Sequence, residues 1–172
     1  SQTDYNGNLT PYTYDLTRNL ETSRTEAAGT PLARTITTAW HPTFRLPTQI
    51  TEPNRVTTFT YDAQGNVTQK TLAAGTLSRT WNYTYNRFGQ ILTADGPRTD
   101  VTDISTYTYD AQGNLTTITN ALGHVTRLTA YDAHGRPLTI QDPNGLITQL
   151  SYDPRGRLVS RLIGTELTQF QY

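Results

Sequence analysis

The sequence predicts an all-β fold, a series of tandem antiparallel β-hairpin repeats forming one long curled meander sheet. Three observations predict it. A seven-residue unit, aromatic-Asp-x-x-Gly-polar-apolar, recurs every 21–26 residues. Thr makes up roughly a fifth of the chain and Tyr occurs 11 times, and both residue types fit a pleated, half-buried surface. No segment keeps a 3.6-residue apolar period, so essentially no helix is expected beyond a turn near residues 16–28.

The clearest copies are Tyr61-Asp62-Ala63-Gln64-Gly65-Asn66-Val67 and Tyr109-Asp110-Ala111-Gln112-Gly113-Asn114-Leu115. Tyr131-Asp132-Ala133-His134-Gly135-Arg136 and Tyr152-Asp153-Pro154-Arg155-Gly156-Arg157-Leu158 follow. Tyr85-Asn86-Arg87-Phe88-Gly89-Gln90-Ile91 carries Asn for Asp. Upstream lie degenerate copies: Tyr14-Asp15, with Arg18 where Gly belongs, Trp40-His41-Pro42-Thr43-Phe44-Arg45-Leu46, and a shortened unit starting at Tyr5. Phe170-Gln171-Tyr172 reads as the start of a further copy.

The unit is a turn signal. Asp at the first position and Gly at the fourth are what a type I turn selects. The Asp carboxylate can accept from the backbone N–H two residues on, and the Gly suits the left-handed position of a following G1 bulge. The expected turn residues are Asp62 and Gly65, Asn86 and Gly89, Asp110 and Gly113, Asp132 and Gly135, and Asp153 and Gly156. The repeat aromatics are Trp40, Tyr61, Tyr85, Tyr109, Tyr131 and Tyr152.

A second set of turns falls between these. Asn120-Ala121-Leu122-Gly123 and Asp142-Pro143-Asn144-Gly145 obey the same rule. Glu26-Ala27-Ala28-Gly29 and Leu72-Ala73-Ala74-Gly75 are looser versions, and Glu52-Pro53-Asn54-Arg55 and Asp95-Gly96-Pro97-Arg98 end in Arg. Two strands per repeat give about fourteen strands of ordinary length. The expected organisation is a single array over 1–172 of about seven repeats, with degenerate copies in 1–50 and regular ones in 51–172. Tyr and aliphatic residues are expected on one sheet face, and Thr, Arg and Gln on the other.

Composition narrows the function classes. Fourteen basic and fourteen acidic residues cancel and are scattered, which argues against a nucleic-acid stripe or a polybasic membrane patch. Without Cys there is no thiol chemistry. No apolar run approaches the ~20 residues of a membrane span. His41, His124 and His134 are the only imidazoles and do not form a ligand set, so no metal and no cofactor is expected. The turn aspartates recur with the repeat, so each has a structural task and none is expected to be catalytic.

These units resemble the YD repeats of the Rhs family, of bacterial polymorphic-toxin type. Residues 37–50, with Trp40-His41-Pro42-Thr43-Phe44-Arg45-Leu46, resemble bacterial Rhs proteins in particular. The resemblance implies a fragment of a hollow β-shell that encloses a toxic C-terminal domain, for delivery in interbacterial competition or host attack. It implies a non-catalytic role in a larger secreted or cell-surface protein, with both chain ends read as cuts in a longer parent. The implied partners are the rest of the shell, an enclosed toxin domain and delivery-machinery proteins.

Pro137-Leu138-Thr139-Ile140-Gln141-Asp142-Pro143-Asn144-Gly145-Leu146 is similar to the motif at which family members cut themselves. Here repeats continue beyond it, and the segment reads as a turn. Two other readings stay open. One is a carbohydrate- or cell-surface-binding module that uses Trp40 and Trp81 to stack on sugar rings. The other is edge-to-edge self-association of bare strands.

Overall fold

The computed structural model describes all of residues 1–172. It contains strands and turns and no helix. The all-β expectation holds, and the strands number seventeen. The chain divides into two compact units, residues 1–89 and 90–172.

In the first unit β1 (Gln2–Thr3) and β2 (Leu9–Thr10) form a short hairpin. Seven strands then pair antiparallel in chain order: β3 (Tyr12–Asp15), β4 (Leu20–Glu26), β5 (Arg34–Trp40), β6 (Pro47–Glu52), β7 (Arg55–Tyr61), β8 (Val67–Ala74) and β9 (Leu77–Tyr85). The second unit is built the same way from β10 (Ile91–Asp95), β11 (Ile104–Tyr109), β12 (Leu115–Thr119), β13 (Val125–Tyr131), β14 (Pro137–Gln141), β15 (Ile147–Tyr152), β16 (Leu158–Ile163) and β17 (Glu166–Gln169).

Register gives each sheet two unlike faces, because residues directly across a ladder share a face. In the second unit Tyr107, Ile118 and Thr126 stand in one row. Leu128, Ile140, Thr148 and Ile163 stand in another on the same face. The opposite face carries Thr108, Thr117, Arg127, Gln141 and Ile147. Hydroxyl pairs bridge strands there, with Thr108 2.6 Å from Thr117 and Ser151 2.6 Å from Ser160. Only two apolar side chains are buried, Leu20 at 5% exposure and Ile36 at 3%. A single layer of sheet has no second layer to bury against, so most of its apolar side chains stay half-covered.

Several expected details are corrected. Residues 20–26 form strand β4, with no helical turn; Thr22, Ser23 and Thr25 suit a pleat better than a helix. The first repeat is keyed on Asp4, and Tyr5 is an exposed residue inside its turn. In the turn after β3 the positive-φ residue is Asn19, at 52°, one place beyond Arg18. Strand β8 runs through Ala74, so the turn at 72–75 moves to Gly75 and Thr76. The turn at 95–98 is instead an eight-residue loop, 96–103, in which the Asp103 carboxylate packs against Gly96.

Candidate functional site

The recurring turns are the one constellation repeated throughout both units. In the copy at 62–66, Gly65 N–H donates to Asp62 O at 3.1 Å and Asp62 N–H to Asn66 O at 2.9 Å. Gly65 has φ 87°, which a Cβ would oppose, and the register shifts between Thr60 and Tyr61. This is a type I turn closed by a G1 bulge. The copies at Asp110, Asp132 and Asp153 repeat both backbone bonds. Their glycines 113, 135 and 156 have φ 87°, 75° and 84°. In the Asn86 copy Gly89, φ 77°, donates to Asn86 O at 3.0 Å, and Phe88 N–H donates to Asn86 Oδ1 at 2.9 Å.

Each Asp carboxylate does more than the sequence motif specifies. Asp62 Oδ1 accepts from Gln64 N–H and also from Asn66 N–H, both at 2.9 Å. The Asn66 side-chain amide donates to Asp62 Oδ2 at 2.9 Å. Asn114 does the same for Asp110. Arg136 and Arg157 replace the amide with a guanidinium, donating Nε to Asp132 Oδ2 at 2.6 Å and Asp153 Oδ2 at 2.8 Å. The polar fifth position is therefore a clamp on the first. The signal for it was present in the motif, as a polar residue directly after every glycine.

These bonds favour the ionised carboxylate. Asp62 and Asp110 are held below the usual aspartate value first by the Asn66 and Asn114 side-chain bonds. Asp132 and Asp153 are lowered first by the backbone N–H of Arg136 and Arg157. The shortened first copy has the same chemistry. Asp4 accepts from Asn6 and Asn8 N–H and from the Asn8 side chain, which is the main cause of its lowered pKa.

The aromatic before each turn fastens one repeat to the one before it. Tyr61 Oη donates to Pro47 O at 2.6 Å, Tyr85 to Val67 O at 2.8 Å and Tyr109 to Ile91 O at 2.9 Å. Tyr131 donates to Leu115 O, Tyr152 to Pro137 O at 3.2 Å and Tyr172 to Leu158 O at 3.0 Å. Every acceptor is the first residue of the strand that leaves the preceding turn. Trp40 makes the equivalent bond through its indole N–H, to Glu21 O at 2.7 Å. Burial raises the phenol pKa of Tyr61, Tyr85, Tyr109 and Tyr131, keeping them as donors.

The turns also stack on one another. A Cβ on Gly89 would lie 3.2 Å from Asn66 Oδ1, and one on Gly135 3.4 Å from Asn114 Oδ1. On Gly156 it would lie 2.6 Å from Arg136 Nη1. Gln90 reaches the next turn directly, donating to Gly113 O at 2.7 Å.

In 1–50 Asp15 still caps its turn, its Oδ1 accepting from Thr17 N–H at 2.9 Å and Arg18 N–H at 3.2 Å, but other side chains fill the remaining places. His41 Nδ1 stands where the Asp oxygen would, accepting from Thr43 N–H at 3.2 Å and Phe44 N–H at 3.1 Å. Arg18 forks onto His41 O and Phe44 O, each at 2.7 Å, and Arg45 reaches back to Arg18 O and Asn19 O. Sequence reasoning gave no role to these arginines.

No three His, Cys, Asp or Glu converge as metal ligands. His134 N–H donates to Asp132, and His124 lies against Asn120. Asp142, in the segment that is similar to a self-cutting motif, accepts from Asn144 and Leu146 N–H as a hairpin cap. Trp81 lies under Lys70 Nζ, 5.3 Å from the ring centroid. No helix is long and apolar enough to cross a membrane, which says nothing of a β-barrel.

The family model named Teneurin YD-shell matches residues 51–172, the stretch with the regular turns. The chain belongs to the teneurin YD-shell family. Solved structures agree on the fold. One titled TcdB2-TccC3 without hypervariable C-terminal region superposes with a TM-score of 0.79, at 16% identity over 99% of this chain. A Photorhabdus luminescens Tc holotoxin pore, with a mutation in TccC3, gives 0.74 at 17% identity and 99% coverage. TcdB2-TccC3-Cdc42 gives 0.74 at 18% identity and 96% coverage. The chain spans 10% of the length of each of these structures. No curated protein matches it. As a YD-shell chain it is a structural shell segment, built from repeats that hold one another.

Proposed function

We propose that this chain is a non-catalytic length of wall in a larger β-shell that encloses a toxin domain for delivery to another cell. The supporting observation is that the polar groups of the repeat turns, in a chain whose regular half matches the YD-shell model, are engaged in holding turns and neighbouring repeats. Asp62, Asp110, Asp132 and Asp153 each take two backbone N–H bonds and one side-chain bond. In this reading residues 1–172 form one continuous array, its lateral partners are further repeats of the same shell, and the whole works outside the producing cell. Neither tryptophan favours the sugar-binding reading, since Trp40 is tied to Glu21 and Trp81 lies under Lys70.

Protease protection tests the proposal in the longer protein that carries this array. The enclosed domain is expected to resist trypsin while the array is intact and to be cut once residues 1–172 are deleted. Equal sensitivity with and without the array would contradict an enclosing role.

A further inference from the structure

The repeats differ in what lies over the tyrosine of the following repeat. Where the fifth turn residue is Arg, its guanidinium bonds the turn Asp and lies on that tyrosine. Arg136 bonds Asp132 and sits 4.7 Å from the Tyr152 ring centroid. Arg157 bonds Asp153 and sits 4.7 Å from the Tyr172 ring centroid. Where the fifth residue is Asn66, the short amide satisfies Asp62 but does not extend over Tyr85 as a guanidinium would. A cleft of about 470 Å³ opens there, lined by Asp62, Gln64, Asn66, Tyr83, Tyr85 and Arg87 among others. That volume lies within the usual range of ligand sites.

Two features favour a planar cation in this cleft. Asp62 is half-buried and carries its charge without an ion pair, whereas Asp132 and Asp153 are paired with Arg136 and Arg157. Asp62 Oδ2 accepts one bond, from Asn66 Nδ2, and a carboxylate oxygen can accept two. The tyrosine face supplies the second contact, since an aromatic ring attracts a guanidinium laid on it. The one cation lining the cleft, Arg87, rests over Phe88 at 4.5 Å.

We propose that the cleft between the turns at 62–66 and 86–89 binds an arginine side chain presented by another polypeptide, placed as Arg136 and Arg157 are placed in their own repeats. The guanidinium bonds Asp62 and lies on Tyr85. Lysine fits less well, because an ammonium cannot lie flat on the ring while reaching the carboxylate with a planar fork. The proposal goes beyond the shell reading and does not depend on a cargo being enclosed.

The test is an NMR titration of the full chain with a blocked Ala-Arg-Ala tripeptide and its citrulline counterpart, read at the Asn66 side-chain amide and the Tyr85 ring. The same side-chain set recurs at Asp110, Asn114 and Tyr131, so the readout stays on the 62–89 cleft. Saturable shifts are expected with a Kd of about a millimolar, the range for one exposed cation–π and charge-assisted contact. Binding of the uncharged citrulline peptide is expected to be at least tenfold weaker. Asn66→Arg supplies the guanidinium from within, and is expected to abolish the shift at Tyr85 and raise the Tm. Asp62→Asn keeps an amide oxygen for the turn, and is expected to weaken binding at least tenfold with the backbone spectrum unchanged. Equal binding of the arginine and citrulline peptides, or undiminished binding to Asp62→Asn, would overturn the proposal.

Discussion

Residues 1–50 and 51–172 solve the same mechanical problem with partly different side chains. Both use aspartate caps, at Asp4 and Asp15 in the earlier region, but the earlier one departs from them further. In the later region an Asp carboxylate caps each main repeat turn except that of Asn86, and a glycine takes the left-handed position. In the earlier region Asn19 and Ala27 hold positive φ at 52° and 50°, and a histidine nitrogen replaces the carboxylate at 41. Arg18 and Arg45 cross-link two turns through backbone carbonyls. The lesson is that the backbone turn and the bond between neighbouring repeats are what persist. Asp-x-x-Gly is the commonest chemistry that produces them, and a residue pattern detects it best where that chemistry is used.

The comparison can be broken at its arginines. Arg18→Leu removes two charge-assisted bonds to carbonyls and is expected to cost about 2–3 kcal/mol, measured as a lower urea midpoint at unchanged slope. A cost under about 0.5 kcal/mol would mean the early turns are not cross-linked through it. On the regular side, Gly113→Val forces a β-branched residue into φ 87° beside Gln90. The expected cost is about 1–2 kcal/mol, and a neutral result would remove the G1-bulge assignment.

Acid separates the carboxylate caps from the arginine forks by chemistry. The turn aspartates have folded pKa values below their unfolded ones. Their contribution is full above the ordinary aspartate value of 3.8 and is lost as pH falls through the lowered folded values. The arginine forks use carbonyl acceptors and contain no carboxylate. Amide protection at Gly65 and Gly113 is therefore expected to fall in that acid window, and unchanged protection there would contradict the capping role. The smallest expected effect is Asn19→Gly. It relieves a left-handed side chain but loosens the unfolded chain, for a net gain of about 0.5 kcal/mol or less by thermal melting.

Much of the fold was legible because glycine and aspartate punctuate the sequence where the chain must turn. Asp62 to Gly65 and its regular copies stated their conformation locally, and the Thr- and Tyr-rich stretches between turns are strands, as in Ile104–Tyr109. What stayed hidden was long-range. The hydroxyl of Tyr109 meets the carbonyl of Ile91, eighteen residues away, and no local rule names that partner. Arg18 looked like a failure of the pattern, and neither its role nor that of Arg45 could be read, because their acceptors are backbone atoms, which leave no mark in the sequence. The first turn is formed by Asp4 and Gly7 and was masked because its aromatic, Tyr5, follows the Asp instead of preceding it.

Tyr107 and Tyr109 provide the most direct test, because they share a strand and a face but differ in their hydroxyls. Only the Tyr109 hydroxyl donates to the preceding repeat. If the repeats are fastened through that bond, Tyr109→Phe lowers stability in urea by about 1 kcal/mol, while Tyr107→Phe changes it by less than about 0.3 kcal/mol. Equal losses, or a larger one at 107, would contradict the account.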